Sequence, residues 1–573
     1  MEKRVLIAVF MMSIVILVSN LLFPPEPPPQ QPAQPQATPA PAARVQAPVL
    51  PQTAPGVPAD TIVVRTPLAH YVFSTRGGVL QQVTLPAYES HVQRGQPVQL
   101  VPAGGTLLAN QLVVEGSSQN LGSLPFQASA RTLELKEGEG PRELRFTYGG
   151  NGAGAEIVYT FRPDRYTVGV RGRMAGLGGP GAILVTDLGT GLANHEANPK
   201  QTRREMAVVA GGDGGVDNIG LDGVKTTRTL ANLAWVGIKG KYFLAALVAP
   251  GSSTFQQATA RNVPDIRQVV RGDTVVIPRA SLTVQTALAP DGGWTYEAYL
   301  GPQQPKQLVA AGRGLEEVNP YGYRWLRPVV RPIAAAILWT LAALHDNLGL
   351  GYGMVLVVFG ILVKIVTWPL NAKAMRAQMK NMEFQPLMQE IQTKYKSDPQ
   401  RQQQEMMKLY REKGFNPLSG CMPLLIPMPV FITLFFVLQT AIEFRGVSFM
   451  WLPDLALPDP LYILPILFMV STFALQWISM TLSGMEQNPQ MQMMMYVMPL
   501  VFGIFFFTVA SGLNLYYLAS NVAGLPQQIL IARERRRANE EMKKNAPKAS
   551  AATPAPAATR AVKRPAQRAK RRR

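Results

Sequence analysis

Lys364 is the one full charge well inside an apolar run, in Ile361-Leu362-Val363-Lys364-Ile365-Val366-Thr367-Trp368. A lysine at the centre of a membrane costs about 2.5–3.5 kcal/mol on insertion scales, so its surroundings must compensate. Two readings stay open: it snorkels past Trp368 to an interface, or it faces a water-filled cavity where a cation attracts a visiting acid. Polar residues in the other apolar runs bear on the choice. Asn514, Tyr517 and Asn521 lie at i, i+3 and i+7; Thr433 and Thr440, with Gln439 nearby, share a face; Thr472 and Gln476 are an i, i+4 pair. Such stripes either hydrogen-bond helix to helix, at about 0.6 kcal/mol each, or line one hydrophilic groove together with Lys364. No Asp or Glu sits mid-run to pair with the lysine, so an acidic partner would have to visit.

Signatures of bond-making chemistry are weak, and no catalytic residue is assigned. His70, His91, His195 and His345 are widely separated and make no metal-ligand pair, while Gly211-Gly212-Asp213-Gly214-Gly215 lacks the strand, lysine and helix of a phosphate loop. The single cysteine, Cys421, excludes an intrachain disulfide and a cysteine-held metal cluster. Neither cofactor nor metal is expected.

The elements that must position these residues follow from how hydropathy and charge are distributed. The chain has 573 residues, 47% hydrophobic and 16% charged, with net charge +20 and mean hydropathy +0.05. The mean conceals sharp blocks. Residues 5–23 form a charge-free run long enough to cross a bilayer; a cleaved signal peptide competes, but no small-x-small site ends the run, so an uncleaved first anchor is expected. Residues 24–58, with thirteen prolines, read as an extended linker. Short alternating segments separated by glycines, such as Leu144, Phe146, Tyr148 and then Ile157, Tyr159, Phe161, predict an antiparallel β-sandwich domain over 59–320. An amphipathic stretch at 328–346, whose apolar part is too short to span, predicts an interfacial helix.

Further spans are expected at 351–369, 422–443, 461–479, 491–510 and 512–531, the last two divided at Ser511-Gly512, for six in all. The loop at 371–414, net +4, reads as a helical hairpin with Asp398 as N-cap before Pro399; the loop at 443–460 is net −2. Positive charge inside then puts both termini and the loops at 371–414 and 480–490 in the cytoplasm and the β domain outside it. The tail, 532–573, carries fifteen cations against three acids. Its Arg533, Arg535, Arg536, Arg537, Lys543, Lys544, Lys563, Arg564, Lys570, Arg571, Arg572 and Arg573 predict a disordered segment that binds ribosomal RNA or anionic phospholipid through counterion release. No aromatic residue interleaves, so base stacking is not expected.

Asn416-Pro417-Leu418-Ser419-Gly420-Cys421-Met422-Pro423-Leu424-Leu425-Ile426, followed by Pro429-Val430-Phe431, resembles the signature of the YidC/Oxa/Alb family of membrane protein insertases. Thr75-Arg76-Gly77-Gly78, Leu85-Pro86-Ala87-Tyr88, Tyr462-Ile463-Leu464-Pro465 and Ser511-Gly512-Leu513-Asn514-Leu515-Tyr516-Tyr517 extend the resemblance nearly end to end, to the Gram-negative form with a large periplasmic domain. The resemblance implies a multi-span α-helical membrane protein with a five-helix insertase core and a hydrophilic groove open to cytoplasm and lipid. It implies an inner-membrane location and, as partners, nascent membrane proteins, the Sec translocon with its accessory subunits, the ribosome and anionic lipid. Lys364 falls where the family carries a basic residue, usually arginine, and Tyr517, with Tyr516 beside it, matches a tyrosine implicated in groove contacts. Pro427 for the usual glutamine and Gly360 for a hydroxyl residue are further departures. The reading is an insertase and chaperone that helps fold its passengers, acting alone or with the translocon; a secondary transporter using Lys364 is the alternative, and a merely anchored binding module a third.

Overall fold

Period-two alternation puts Leu144 and Phe146 on one face of the strand Arg142–Gly150, and Ile157, Tyr159 and Phe161 on one face of Ala153–Phe161. The strands pair antiparallel with Phe146 opposite Ile157 and Leu144 opposite Tyr159, and these side chains are buried. In the computed structural model the described residues are 59–545 except 115–116, 151–152, 177–180, 213, 271–272, 320, 322–325, 383–384, 397, 413–427, 483–496, 498–499 and 502. The first anchor, the Pro-rich linker, Cys421, Pro427, residues 491–496, 498–499 and 502 of the expected fifth span and the tail beyond 545 lie outside them.

Strands of this kind build two sheets. Pro97–Gln99, Val79–Glu89, His70–Ser74, Thr61–Arg65 and Thr132–Glu134 form one, in that order, and fourteen strands form the other. Their inner faces meet through aromatic rings: Phe73 lies 4.7 Å from Tyr159, and Tyr71 5.2 Å from Phe161. Gly77 sits at φ +77°, where an added Cβ would come within 2.6 Å of Gly122 Cα, so the Thr75-Arg76-Gly77-Gly78 motif needs glycine there. Strands Ala207–Gly212 and Gly215–Gly220 pair antiparallel, with Gly212 opposite Gly215. Two short helices, α1 (Pro199–Glu205) and α2 (Pro305–Ala311), complete the domain.

The helical half opens with α3 (Arg327–Leu348), ended by Gly349 in the left-handed region. Both of its ends touch the β domain. Arg331 forks onto Glu317 at 3.1 and 3.0 Å near the start, and Lys306 meets Asp346 at 2.8 Å near the finish. Buried Val330, Ala334, Ile337 and Leu341 mark the packed face, with Val329 and Trp339 exposed on the other. Helix α4 (Tyr352–Met382) runs without a break from the expected second span into the segment expected as the first arm of a hairpin. α5 (Gln385–Lys394) and α6 (Pro399–Glu412) follow, the latter capped by Asp398 Oδ1 accepting the Arg401 amide at 3.0 Å. α7 (Met428–Thr440), α8 (Ile463–Leu482) and α9 (Ser511–Asn545) come after them. Tyr352–Lys373 is long and apolar enough to cross a membrane, and so, by length and composition, is Arg327–Leu348, because the helix extends beyond the short apolar stretch that was expected to be too short to span; Met428–Thr440 and Ile463–Ile478 are shorter apolar helices.

One expectation is corrected by α9. The disordered tail was expected from 532, but the helix runs on to Asn545. The reason is local: after Pro526 no proline or glycine interrupts the chain until Pro547, and the intervening Arg, Glu, Ala and Lys favour helix, with Arg536 pairing Glu540 one turn on.

Candidate functional site

The surroundings of Lys364 are set by how α9 packs. A Cβ placed on Gly360 would lie 2.9 Å from Tyr516 O and 3.3 Å from Ser520 N, so α4 and α9 touch backbone to side at that point. One turn further, the Lys364 side chain lies against Gly524, whose added Cβ would fall 2.7 Å from Cε and 3.1 Å from Nζ. Another turn on, Gln527 Nε2 donates to Trp368 O at 2.9 Å. Residue numbers rise together along both helices, so α4 and α9 run parallel. α8 is parallel to them by the same test: the Phe468 ring lies 6.0 Å from that of Tyr517, and Asn521 Nδ2 donates to Ser471 Oγ (2.9 Å) and Thr472 Oγ1 (3.0 Å). α7 runs the other way, with Phe431 beside Tyr517 and Phe444, beyond its far end, beside Tyr352 at the start of α4.

Tyr517, Asn521 and Gly524 recur at i, i+4 and i+7 on one face of α9. Lys364 is half-buried on this face and has no ion pair among the described residues. Tyr517 is ringed by Phe431, Phe468, Phe506 and Tyr516, and its buried hydroxyl has no hydrogen-bond partner among the described residues. Thr472 is tied to Asn521, while Gln476 and Gln439 are half-buried.

Other residues of the expected set are placed apart from this face. Thr433 and Thr440 are buried and donate back to Pro429 O and Phe436 O of their own helix, so the polar stripe of α7 turns into the bundle. Asn514 is fully buried and donates to Phe506 O at 3.0 Å, bridging the break that precedes α9. Tyr516 is buried against Phe359. Gly524, Ser471 and Gln527 were missed by sequence reasoning. The heptad step from Tyr517 to Gly524 was the only signal available, and a lone glycine gives no sign of what it faces.

A second polar group went unread altogether. Arg445, between α7 and α8, meets Glu196 of the β domain at 2.9 Å, and His91 sits 3.6 Å from Glu196 and 3.5 Å from Asp454. Burial alone would raise the Glu196 carboxyl, but His91, Arg445 and Lys241 hold it below its ordinary value. Burial lowers Lys241 and raises Asp454.

Two family models tile the chain: the YidC periplasmic domain matches residues 61–336 and the 60Kd inner membrane protein residues 343–539. A membrane protein insertase YidC from Geobacter metallireducens is 32% identical over 93% of this chain and 98% of its own length. One from Cupriavidus necator is 30% identical over 93% and 97%. A crystal structure of an active YidC insertase covers 82% of this chain and 94% of its own, at 18% identity and a TM-score of 0.32. With likeness of that extent in both halves, the chain belongs to the YidC family of inner-membrane proteins and is a membrane protein insertase.

Proposed function

We propose that this insertase carries a short polar segment of a nascent membrane protein across the bilayer along the α9 face bearing Tyr517, Asn521 and Gly524, without a continuous pore. The observation that carries the reading is Lys364: half-buried mid-span, unpaired among the described residues and laid against Gly524. A passenger's polar tail there exchanges lipid for polar side chains and water, which lowers its desolvation cost. Lys364 attracts an acidic residue of that tail; at 4 Å and an effective dielectric of about 20 the pair is worth roughly 4 kcal/mol before desolvation, enough to recruit and too little to trap. The passenger's apolar helix then leaves sideways into lipid. No bond is made or broken, so the activity is not that of an enzyme.

The topology proposed is six spans around a five-helix core, with cytoplasmic termini and the β domain in the periplasm. It is supported by the directions of the helices: the second, fourth and sixth spans must run one way and the third the other, as α4, α8, α9 and α7 do. Both ends of α3 touch the β domain, which favours a helix lying along the interface. The basic end of α9 and the tail beyond it would meet the ribosome or anionic lipid, and the Sec translocon is a further proposed partner.

The test is insertion into proteoliposomes together with site-specific crosslinking of a stalled nascent chain. Adducts are expected from positions beside Lys364 and Tyr517, and Lys364→Ala should impair passengers with acidic tails most. Absence of nascent-chain adducts from both positions, with insertion intact, would refute the groove.

A further inference from the structure

The β domain and the helical half meet at a buried group of charges that the groove does not use. Arg445 Nε lies 2.9 Å from Glu196 Oε1, with the two side chains only 2% and 8% exposed. The guanidinium also reaches His195 O at 3.5 Å and sits 5.5 Å from the Phe243 ring. His91, from the β domain, stands between Glu196 and Asp454. Breaking a buried pair strands a charge, whereas the intact pair adds little net stability; what it supplies is one fixed arrangement. Here the arrangement fixes the segment between α7 and α8 on the β domain.

That segment in turn holds the start of α9. Ser511 Oγ donates to Asp454 O at 3.1 Å, the Ser511 amide to Leu457 O at 2.8 Å and the Gly512 amide to Leu455 O at 2.9 Å. The first amides of a helix have no partner within it, and a cap side chain usually supplies one. In α9 the carbonyls of a segment fastened to another domain take that place. A continuous set of contacts therefore runs from Glu196 through Arg445 and residues 445–457 to Ser511, two turns before Tyr517.

We propose that the β domain is a seat for α9. Glu196 and Arg445 are positioning residues that fix residues 445–457 and, through them, the outer end of the last span, so that Tyr517, Asn521 and Gly524 stay level with Lys364. The geometry stands by itself; the effect on insertion rests on the groove reading above.

The test is amide hydrogen exchange of the full chain in lipid nanodiscs, paired with insertion in proteoliposomes. In Arg445→Met and in Glu196→Gln, exchange at Ser511 and Gly512 should quicken about ten-fold or more, while the core strand amides of Ile157 and Tyr159 keep their protection. The double variant should be no faster than the worse single one, since both remove the same contact. Ser511→Ala, which removes the hydroxyl bond to Asp454 O and keeps the two amide bonds, guards against misfolding of the charge variants: it should quicken exchange at Ser511 and Gly512 and lower insertion in part, while leaving the amides of 443–447 protected. Unchanged exchange at 511–512, in the charge variants or in Ser511→Ala, overturns the seat. Neither result depends on nascent-chain adducts beside Lys364, so failure of the seat and failure of the groove are told apart.

Discussion

Lys364 and the two glycines around it show how much depends on which atom a side chain meets. Gly360 faces the backbone of α9, at Tyr516 O and Ser520 N; Gly524 faces the flexible end of Lys364. Alanine at either position gains helix propensity of about 1 kcal/mol. At 360 the added methyl meets backbone, and the helices must part, an overpacking cost of about 1–3 kcal/mol. At 524 the lysine can swing aside. Gly360→Ala should therefore lower the thermal midpoint in detergent and reduce insertion of every passenger. Gly524→Ala should hold or raise the midpoint and change insertion selectively for acidic tails, because only the ammonium has moved. Equal losses of stability in the two variants would mean that Lys364 is packed rigidly rather than laid in a groove. The lysine was visible in the sequence as a charge in an apolar run; the glycine beside it was not, because a residue without a side chain carries no chemical signature of its neighbour.

Among the elements, periodicity gave what depends on one segment and missed what depends on two. The alternation in Arg142–Gly150 and Ala153–Phe161 and the Asp398 cap are local patterns, and both are present. The stripe of Thr433 and Thr440 was equally regular, yet a helical face does not say which neighbour covers it, and here the hydroxyls are used within α7. The stripe on α9 fares differently because Asn521 reaches two acceptors on α8. Interhelical hydrogen bonds in membranes average about 0.6 kcal/mol and reach about 1.7. Asn521→Leu should thus destabilise the bundle by about 1 kcal/mol, and Thr472→Val by less, since Ser471 still accepts from Asn521. Unfolding in mixed micelles measures this, and the double variant should fall short of the sum. Full additivity would show that the two side chains do not interact.

At the scale of the whole molecule, the contact between Glu196 and Arg445 joins residues 249 apart, beyond any window in which pattern or charge could be read, so the loop at 443–460 showed only its net −2. Its titration makes the joint between the two halves dependent on pH. Glu196 is held below its ordinary value of 4.5 despite burial, by His91, Arg445 and Lys241. A carboxyl depressed in the folded state contributes stability that is complete above its ordinary value and lost as pH falls through the depressed one. His195, lowered mainly by burial from 6.5, acts in the same direction: its contribution is complete above 6.5 and declines below it. Asp454, raised by burial from 3.8, opposes both, since its protonation relieves a cost as pH falls through the raised value. Lys241, lowered by burial, relieves a cost only as pH rises through its own lowered value. Protection of the amides at 443–457 should accordingly hold at neutral pH and weaken on acidification, first below 6.5 and again below 4.5. Glu196→Gln should remove the second loss, whereas Asp454→Asn, which abolishes the opposing relief, should make the acid loss steeper. A wild-type profile flat from neutrality to pH 4 would show that these groups carry no pH dependence into the joint, and an Asp454→Asn profile shallower than wild type would reverse the sign assigned to Asp454.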